Sequence, residues 1–317
     1  MTPIRRWSAT RFGRAIPTPA WRLFAGAVVP TLCAWLVTAP AMAQTSPAGP
    51  ALAADASPAA ADRSADRGSG VPTSMFGTYV RGGELLVYPF FEHYRANRFE
   101  YKPSEFGLPG EIDQRGRFRA REVLFFAAYG ITDDLAVEVE GAAIRASLEK
   151  APTDVSALPA KISEVGLGDV EGQIRWRWHR ETEERPELFS FAEMVVPHHR
   201  DRPLTGTAGL ELKFGTGVTR GFSWGTITAR AALEYAAGSS SRFDTGEYAV
   251  EYLKRLSPRW RVYLGVEGKQ DEASAIVEAQ WHVAPNAFVR LNTGRGLTSK
   301  APDWAPEVGV VISLRRR

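Results

Sequence analysis

The sequence predicts an all-β fold, a twelve-stranded antiparallel transmembrane β-barrel of the outer-membrane type. Three observations predict it. Apolar and polar residues alternate along segments of about 9–13 residues, the connectors alternate between long and short, and no long segment after residue 44 has a helical period. Strands of this length cross a bilayer at a tilt, whereas sandwich strands usually have about 5–6 residues. A secreted β-sandwich is the alternative.

The clearest strand follows the glycines at positions 166 and 168. Apolar or small residues occupy every second position from 170, and polar or charged residues occupy the positions between them. The first set is Val170, Gly172, Ile174, Trp176 and Trp178, and the second is Glu171, Gln173, Arg175, Arg177 and His179. A period of two places the sets on opposite faces of one strand. The apolar face therefore covers either a protein core or lipid.

Residues 1–43 have the pattern of a secretory signal peptide. Five arginines precede an apolar run at 23–37, and Ala41-Met42-Ala43 is a small-x-small cleavage site. An uncleaved membrane anchor is the alternative, but the apolar run is shorter than the roughly 20 residues of a spanning helix and contains Pro30. We therefore expect an exported protein.

Residues 44–75 are rich in Ala, Pro, Ser and Gly and have little apolar bulk to offset the entropy of ordering. We predict a disordered lead-in there and a barrel over 76–317. Of the 39 Lys+Arg residues, five lie in the predicted signal, which leaves 34 against 36 Asp+Glu. This balance gives no indication of nucleic-acid binding. The only cysteine, Cys33, lies in the signal, so no disulfide is expected.

Twelve strands follow in order along the chain. They are Leu85–Tyr94, Phe118–Gly130, Leu135–Arg145, Gly166–His179, Leu188–Val196, Gly209–Thr219, Trp224–Ala236, Glu247–Leu256, Trp260–Lys269, Ser274–Val283, Phe288–Arg295 and Glu307–Leu314. The connectors after the first, third, fifth and eleventh are long, and those after the second, sixth, eighth and tenth are short. Long loops at one end and short turns at the other are typical of outer-membrane barrels with both termini in the periplasm.

The last strand also has the pattern of a barrel-assembly signal. Glu307-x-Gly309-x-x-Ile312-x-Leu314 matches polar-x-Gly-x-x-hydrophobic-x-hydrophobic, although it ends on leucine rather than an aromatic residue. This pattern predicts the barrel-assembly machinery as a partner.

Charged residues concentrate on one face of the strands, which we assign to the lumen. The lumen-facing candidates are Glu138, Glu140, Glu171, Arg175, Arg177, Glu193, Glu211, Lys213, Glu234, Glu251, Arg261, Glu267, Lys269, Glu278 and Arg290. A cation on the lipid face costs about 2–4 kcal/mol at the bilayer midplane, which explains this concentration. Arg119, Arg121 and Arg145 lie on the other face near the predicted extracellular strand ends, where we hypothesise that they contact lipid A phosphates.

Aromatic residues on the apolar face fall into two groups. Tyr129, Trp176, Trp178, Trp260 and Trp281 lie near the predicted periplasmic strand ends. Tyr235 and Tyr248 lie near the opposite ends. Two such belts are expected at the two interfaces of a membrane.

No catalytic, cofactor or metal site is predicted, and we expect no enzyme. Gly221-Phe222-Ser223-Trp224-Gly225 fits the G-x-S-x-G nucleophile motif, but that motif needs a helix after the serine, and here strands lie on both sides. His198-His199 is the only histidine cluster, and adjacent histidines point in opposite directions in an extended chain. A hairpin turn and a surface loop are the preferred interpretations.

Two segments together resemble a known family. They are Tyr129-Gly130-Ile131-Thr132-Asp133-Asp134-Leu135 and Glu164-x-Gly166-Leu167-Gly168-Asp169-Val170. Over roughly residues 80–314 the chain resembles the outer-membrane family described as the MetA pathway of phenol degradation, often labelled "transporter". The resemblance implies a twelve-stranded barrel that passes small, often hydrophobic compounds, and it supplies no catalytic residues.

We therefore expect a passive channel or uptake protein for small molecules, including hydrophobic or aromatic ones, in the outer membrane of a Gram-negative cell. Lipid and lipopolysaccharide would surround it. The alternative is a closed structural barrel that binds a ligand or surface through the long loops 95–117 and 147–165.

Overall fold

One antiparallel sheet of long strands makes up most of the chain. The computed structural model describes residues 66–75, 77–199, 201–207, 209–237 and 242–315. The predicted signal peptide and residues 44–65 of the predicted lead-in lie outside the described residues. No helix in the described part is long and apolar enough to span a membrane.

The sheet contains twelve strands, of which the fourth is in two parts. They are β1 (Glu84–Tyr101), β2 (Gln114–Thr132), β3 (Leu135–Lys150), β4 (Lys161–Leu167 and Val170–His179), β5 (Glu187–Val196), β6 (Glu211–Phe222), β7 (Gly225–Ala236), β8 (Arg242–Ser257), β9 (Trp260–Lys269), β10 (Glu272–Ala284), β11 (Ala287–Gly296) and β12 (Ala305–Arg315). Each strand pairs antiparallel with the next.

The sheet closes on itself because β12 also pairs with β1. The register joins Glu307 to Glu92 and Leu314 to Leu85, while the other edge of β1 pairs with β2. Both parts of β4 pair with β3, so the interruption at residues 168–169 does not open the wall. The predicted twelve-stranded antiparallel barrel is confirmed.

The strand bounds differ from the predicted ones mainly at the long loops. β1 and β2 continue past the predicted ends as a paired extension in which Phe99 lies opposite Gly116 and Tyr101 opposite Gln114. The first loop is therefore residues 102–113, with a short 3₁₀-helix at Pro103–Phe106. The extension has exposed polar residues on its outer side, and for this reason the sequence pattern predicts a loop there.

The two ends of the barrel differ in their connectors. We call the end formed by the turns at 133–134, 180–186, 223–224, 258–259 and 285–286 the turn rim. The opposite end, the loop rim, is formed by the described residues of the connectors 102–113, 151–160, 197–210, 270–271 and 297–304. The connector at 270–271 is short, so the alternation in length is imperfect there.

Side chains alternate between a buried interior face and an exposed exterior face along every strand. On β2, for example, Leu124 and Phe126 are buried inside, whereas Val123 and Phe125 are exposed outside. The period-two pattern of the sequence therefore corresponds to two faces of one closed wall. The exterior face is apolar over most of its height, as a lipid-facing surface requires.

Two interior aromatic rings are accommodated by glycines on the neighbouring strand. Phe189 of β5 lies over its registered partner Gly217 of β6, and Phe191 lies over its registered partner Gly215. A Cβ atom added at Gly217 would lie 2.2 Å from Cζ of Phe189, and one at Gly215 would lie 2.2 Å from Cζ of Phe191. These glycines make the space that the rings fill.

We predict that Gly217→Val prevents correct packing of the barrel, because the new side chain has to displace the Phe189 ring. Gly172→Val is the matched control, since a Cβ atom at Gly172 has no atom within 4 Å. The folded fraction, measured by heat-modifiable gel mobility after refolding, should fall for the first variant and stay near wild type for the second. Equal folding of both variants would contradict this packing account.

Candidate functional site: the barrel interior and its two ends

The barrel interior is rich in charge. Among the described strand residues, sixteen glutamates and five lysines or arginines are buried. Thirteen of the fifteen lumen candidates lie in this buried set, namely Glu138, Glu140, Glu171, Arg175, Glu193, Glu211, Lys213, Glu234, Glu251, Glu267, Lys269, Glu278 and Arg290. Arg177 and Arg261 are half-buried at the turn rim.

Cations on one strand pair with carboxylates on its neighbours. Lys213 of β6 lies 2.6 Å from its registered partner Glu193 of β5. Arg230 of β7 lies 3.3 Å from both Glu247 and Glu251 of β8. These ion pairs lie in the interior, where pairing offsets the cost of taking each charge out of water.

A second group of interior contacts centres on Glu278 of β10. Its carboxylate accepts hydrogen bonds from Arg290 and from Gln280, the latter at 2.7 Å. The Arg290 guanidinium in turn lies 5.0 Å from the centre of the Tyr88 ring, and the Tyr88 hydroxyl donates to Glu307. These contacts connect β10, β11, β12 and β1 across the point where the sheet closes.

Two aromatic rings contact Arg175 in the interior. Its guanidinium carbon lies 5.1 Å and 5.0 Å from the centres of the Phe189 and Phe191 rings. Cation–π contacts of this kind gain strength when water is excluded. The glycines of β6 therefore position the two rings, and the rings position Arg175.

The interior of β1–β3 is chemically different from the rest of the wall. It carries most of the large buried apolar side chains of the barrel, which are Leu86, Tyr88, Phe90, Tyr94, Phe99, Tyr101, Phe118, Leu124, Phe126, Ile144 and Leu148. Five buried glutamates interrupt this apolar wall, namely Glu84, Glu92, Glu122, Glu138 and Glu140, of which Glu92 and Glu122 are registered partners. The interior thus has an apolar wall broken by carboxylates on three strands, whereas all five buried lysines and arginines lie on the other strands.

A segment before β1 lies inside the barrel at the turn rim. We call residues 66–80 the plug. It contains a two-stranded hairpin, Val71–Pro72 with Tyr79–Val80, and it buries Val71, Met75 and Val80. Residues 66–75 are the C-terminal part of the predicted disordered lead-in, and Val71–Pro72 within them forms one strand of the hairpin.

The plug contacts opposite sides of the wall. Its Ser74 donates hydrogen bonds from both N and Oγ to the carboxylate of Glu138 on β3, the latter at 2.5 Å. A Cβ atom added at Gly77 would lie 2.8 Å from Leu253 of β8. Because β3 and β8 are five strands apart in a ring of twelve, the plug spans the interior.

Ion pairs anchor the start of the plug at the turn rim. Arg67 lies 2.5 Å from Glu181 of the 180–186 turn, and the Asp66 carboxylate accepts a 2.7 Å hydrogen bond from the backbone N–H of Arg255. Burial and the nearby Glu187 carboxylate raise the pKa of the Tyr79 hydroxyl well above its usual value. Tyr79 is therefore neutral at physiological pH.

Arg177 lies at the turn rim and anchors the plug there, and it does not lie in the middle of the lumen. It donates to the carbonyl oxygens of Gly70 and Asp133, and to Glu187 at 3.1 Å. It therefore ties the plug to the turn rim. A cleft of about 490 Å³ lies beside it, lined by plug residues 67–70 and by Arg81, Arg180 and Arg315 among others.

The segment from Glu164 to Val170, which carries part of the family resemblance, organises the loop rim. The Asp169 carboxylate accepts the backbone N–H of His198 at 2.9 Å and that of Thr207 at 2.5 Å. The Glu164 carboxylate accepts the N–H of Leu204 at 2.8 Å. The loop 197–210 is thus held by two carboxylates, Asp169 in the break of β4 and Glu164 in the part before it.

Gly166 and Gly168 leave room for this arrangement. A Cβ atom at Gly166 would lie 2.6 Å from the guanidinium of Arg202, whose Nη1 donates to the carbonyl of Val165 at 3.0 Å. The N–H of Gly168 donates to Ala142 on β3 and so keeps β4 attached at its break. The sequence identified these residues as a family marker, but not as the clamp of a distant loop.

Three other loops meet at the same rim. Lys300 of the 297–304 connector lies 2.9 Å from Asp271 and 3.8 Å from Glu105 of the 3₁₀-helix. Burial raises the pKa of Glu105 to about 7. Leu158 and Leu204, from two further loops, are also buried.

The motifs considered for chemistry have structural positions. Gly221-Phe222 ends β6, Ser223-Trp224 is the turn, and Gly225 begins β7, so the serine lies in a hairpin and not before a helix. The rings of His198 and His199 contact each other with centres 4.3 Å apart. The described residues contain no group of three His, Cys, Asp or Glu side chains that is arranged to hold a metal ion.

The aromatic residues assigned to the lipid interfaces lie on the exterior face. Tyr129, Trp176, Trp178, Trp260 and Trp281 are exposed close to the turn rim, and Trp260 stacks on its registered partner Trp281. Tyr248 is exposed and Tyr235 half-buried, and both lie in the loop-rim halves of their strands.

We predict that Asp169→Ala releases the loop 197–210, because two of its backbone N–H groups lose their acceptor. Trypsin should then cleave after Arg200 faster in the folded protein, since the bond after Arg202 precedes Pro203 and resists trypsin. Glu184→Ala is the control, since this carboxylate is exposed in a turn at the other rim. Unchanged cleavage of the Asp169 variant would show that the clamp does not hold the loop.

No protein-family model matches the sequence, and no curated protein matches it. The structure is similar to the crystal structure of the COG4313 outer membrane channel from Pseudomonas putida F1, with a TM-score of 0.55 and 14% identity over 77% of this chain and 100% of that one. At this identity the likeness shows the fold alone.

Two other solved barrels align less well. The translocator domain of the autotransporter NalP from Neisseria meningitidis has a TM-score of 0.49 at 10% identity, over 73% of this chain and 89% of that one. The Ralstonia pickettii toluene transporter TbuX has 0.38 at 11%, over 73% and 88%. Neither value carries an argument about this protein. The fold of this chain is that of an outer-membrane barrel.

Proposed function

We propose that this protein is an outer-membrane channel for the uptake of small molecules, closed at the periplasmic end by its own plug. The observation that carries the proposal is the interior itself, which combines large apolar side chains on β1–β3 with buried glutamates around the wall and buried lysines and arginines on β4–β11. A barrel with only a structural role has no need for so many buried charges, each of which is costly to desolvate.

The proposed orientation places the turn rim in the periplasm and the loop rim outside the cell. Short periplasmic turns and longer extracellular loops are the rule in such barrels. The exposed tryptophans near the turn rim fit a membrane interface, where aromatic rings are enriched. A signal peptide over residues 1–43 supplies the export route in this proposal.

The proposed solutes are small molecules with an apolar or aromatic part and a polar part. The apolar part of the solute can contact the apolar surface along β1–β3. The polar part can form hydrogen bonds with the carboxylates and guanidinium groups of the other strands. The sequence resemblance to the family described as the MetA pathway of phenol degradation supports the same class of compound. Membership of that family is part of the proposal.

The channel proposal is tested by removing the plug. In planar bilayers we expect small conductance steps for the full mature chain and clearly larger steps after deletion of residues 66–80, because this segment spans the interior. Deletion of residues 46–60, a segment of equal length in the predicted lead-in, is the matched control. If neither the full chain nor the plug deletion conducts, the closed binding barrel becomes the better proposal.

We also predict that the pore prefers cations. The buried strand residues include sixteen glutamates against five cations, and a lining of one sign attracts counter-ions. The reversal potential in a salt gradient should show cation selectivity, and Glu140→Gln together with Glu171→Gln, which are registered interior partners, should reduce it. Glu184→Gln, in an exposed turn, serves as the control. Anion selectivity of the plug-deleted pore would contradict the prediction.

A further inference from the structure

The exterior face of β1–β3 carries a basic patch close to the loop rim. We define the patch as Arg95, Arg119, Arg121 and Arg145, whose side chains are all exposed on the outer surface. The register places Arg95 directly opposite Arg119, and Arg121 directly opposite Arg145. Four guanidinium groups therefore occupy adjacent positions on three neighbouring strands.

This arrangement is unfavourable on its own. Like charges directly opposite each other on neighbouring strands destabilise a sheet, since their Cβ atoms are about 4.5–5.5 Å apart. Within the described part of the chain, none of the four forms an ion pair with a carboxylate. The nearby Glu149 pairs instead with Arg117 at 3.5 Å and with Lys161 at 2.9 Å. Anions from outside the chain would therefore stabilise the patch.

The patch also lies at a defined depth. Arg121 is eight residues before the interface residue Tyr129 on β2. At about 3.4 Å per residue and a tilt of about 40°, the two are roughly 21 Å apart along the membrane normal. The apolar band of an outer-membrane barrel is about 25 Å tall, so Arg121 lies near its outer limit and Arg119 lies above it.

The rest of the exterior does not share this feature. Next to the loop rim, β6, β7 and β8 present Phe214, Leu233 and Phe243, all exposed and apolar. The basic patch is therefore a local site on one side of the barrel and not a general property of the rim. Directly below it, Phe91, Val123 and Phe125 form an apolar exterior surface that acyl chains can cover.

We propose that this patch is a binding site for the phosphorylated sugar headgroup of lipid A, with its acyl chains against Phe91, Val123 and Phe125. Guanidinium groups bind phosphate through paired N–H···O bonds, and two like-charge pairs match a ligand with two phosphates better than a single phosphate. The inference rests on the proposed outer-membrane location and not on transport.

The test compares lipid A binding by the full mature protein and by Arg121→Gln/Arg145→Gln. The matched control is Arg185→Gln/Arg259→Gln, which removes the same charge from exposed turns at the other rim. In native mass spectrometry with diphosphorylated lipid A in detergent, we expect binding to fall roughly tenfold or more in the patch variant and to persist in the control. Monophosphorylated lipid A should bind more weakly than the diphosphorylated form.

Two further measurements keep the test decisive. Without lipid A the patch variant should be at least as heat-stable as wild type, because a repulsive pair is removed, whereas lipid A should raise the melting temperature of wild type only. Phosphatidylglycerol that binds as tightly as lipid A would overturn the assignment to lipid A. Equal lipid A binding by wild type and the patch variant would overturn the site itself. Conductance is expected to be unchanged, so a failure here is distinct from a failure of the channel proposal.

Discussion

The rest of the structure depends on the pairing of β12 with β1. In hydrocarbon a strand has no water to satisfy its N–H and C=O groups, so a sheet that spans a bilayer has to close. Closure leaves one interior and one exterior, and side chains alternate between them. The apolar set then faces outward and the charged set is forced into a narrow space. The dense ion pairing around Arg230 and Glu278 is a consequence of that confinement.

Much of the fold was readable from the sequence because alternation is a direct record of the two faces. The bounds of β9 are the same in prediction and structure, and those of β5 differ by one residue. The extended hairpin of β1 and β2 was not readable, since residues beyond the membrane can be polar on their outer side. In that hairpin the large buried side chains are Phe99, Tyr101 and Phe118, and a bulge after Ala96 shifts the alternation.

The plug and the loop clamp could not be predicted for a different reason. Val71, Met75 and Val80 are isolated apolar residues without a period, and they are ordered by contacts with walls far away in sequence. Asp169 bonds to backbone groups 29 and 38 residues further on. Backbone N–H groups leave no trace in the residue type, so its partners are invisible in the sequence even where the carboxylate stands out.

The contacts of the plug indicate how firmly it closes the turn rim. Three buried apolar side chains contribute about 1.5–3 kcal/mol each, and the hydrogen bonds to Glu138 and from Arg255 add to this. If release of the plug costs several kcal/mol, fewer than one per cent of the molecules are open at equilibrium, because each step of about 1.4 kcal/mol changes the ratio of open to closed molecules tenfold. In the proposed channel, passage through the wild-type protein would therefore require that a solute displaces plug contacts or moves between the plug and the apolar wall of β1–β3. Because Ser74 and Glu138 form one of these contacts at the border of that wall, a solute with a polar group can compete for the same carboxylate while its apolar part contacts the wall.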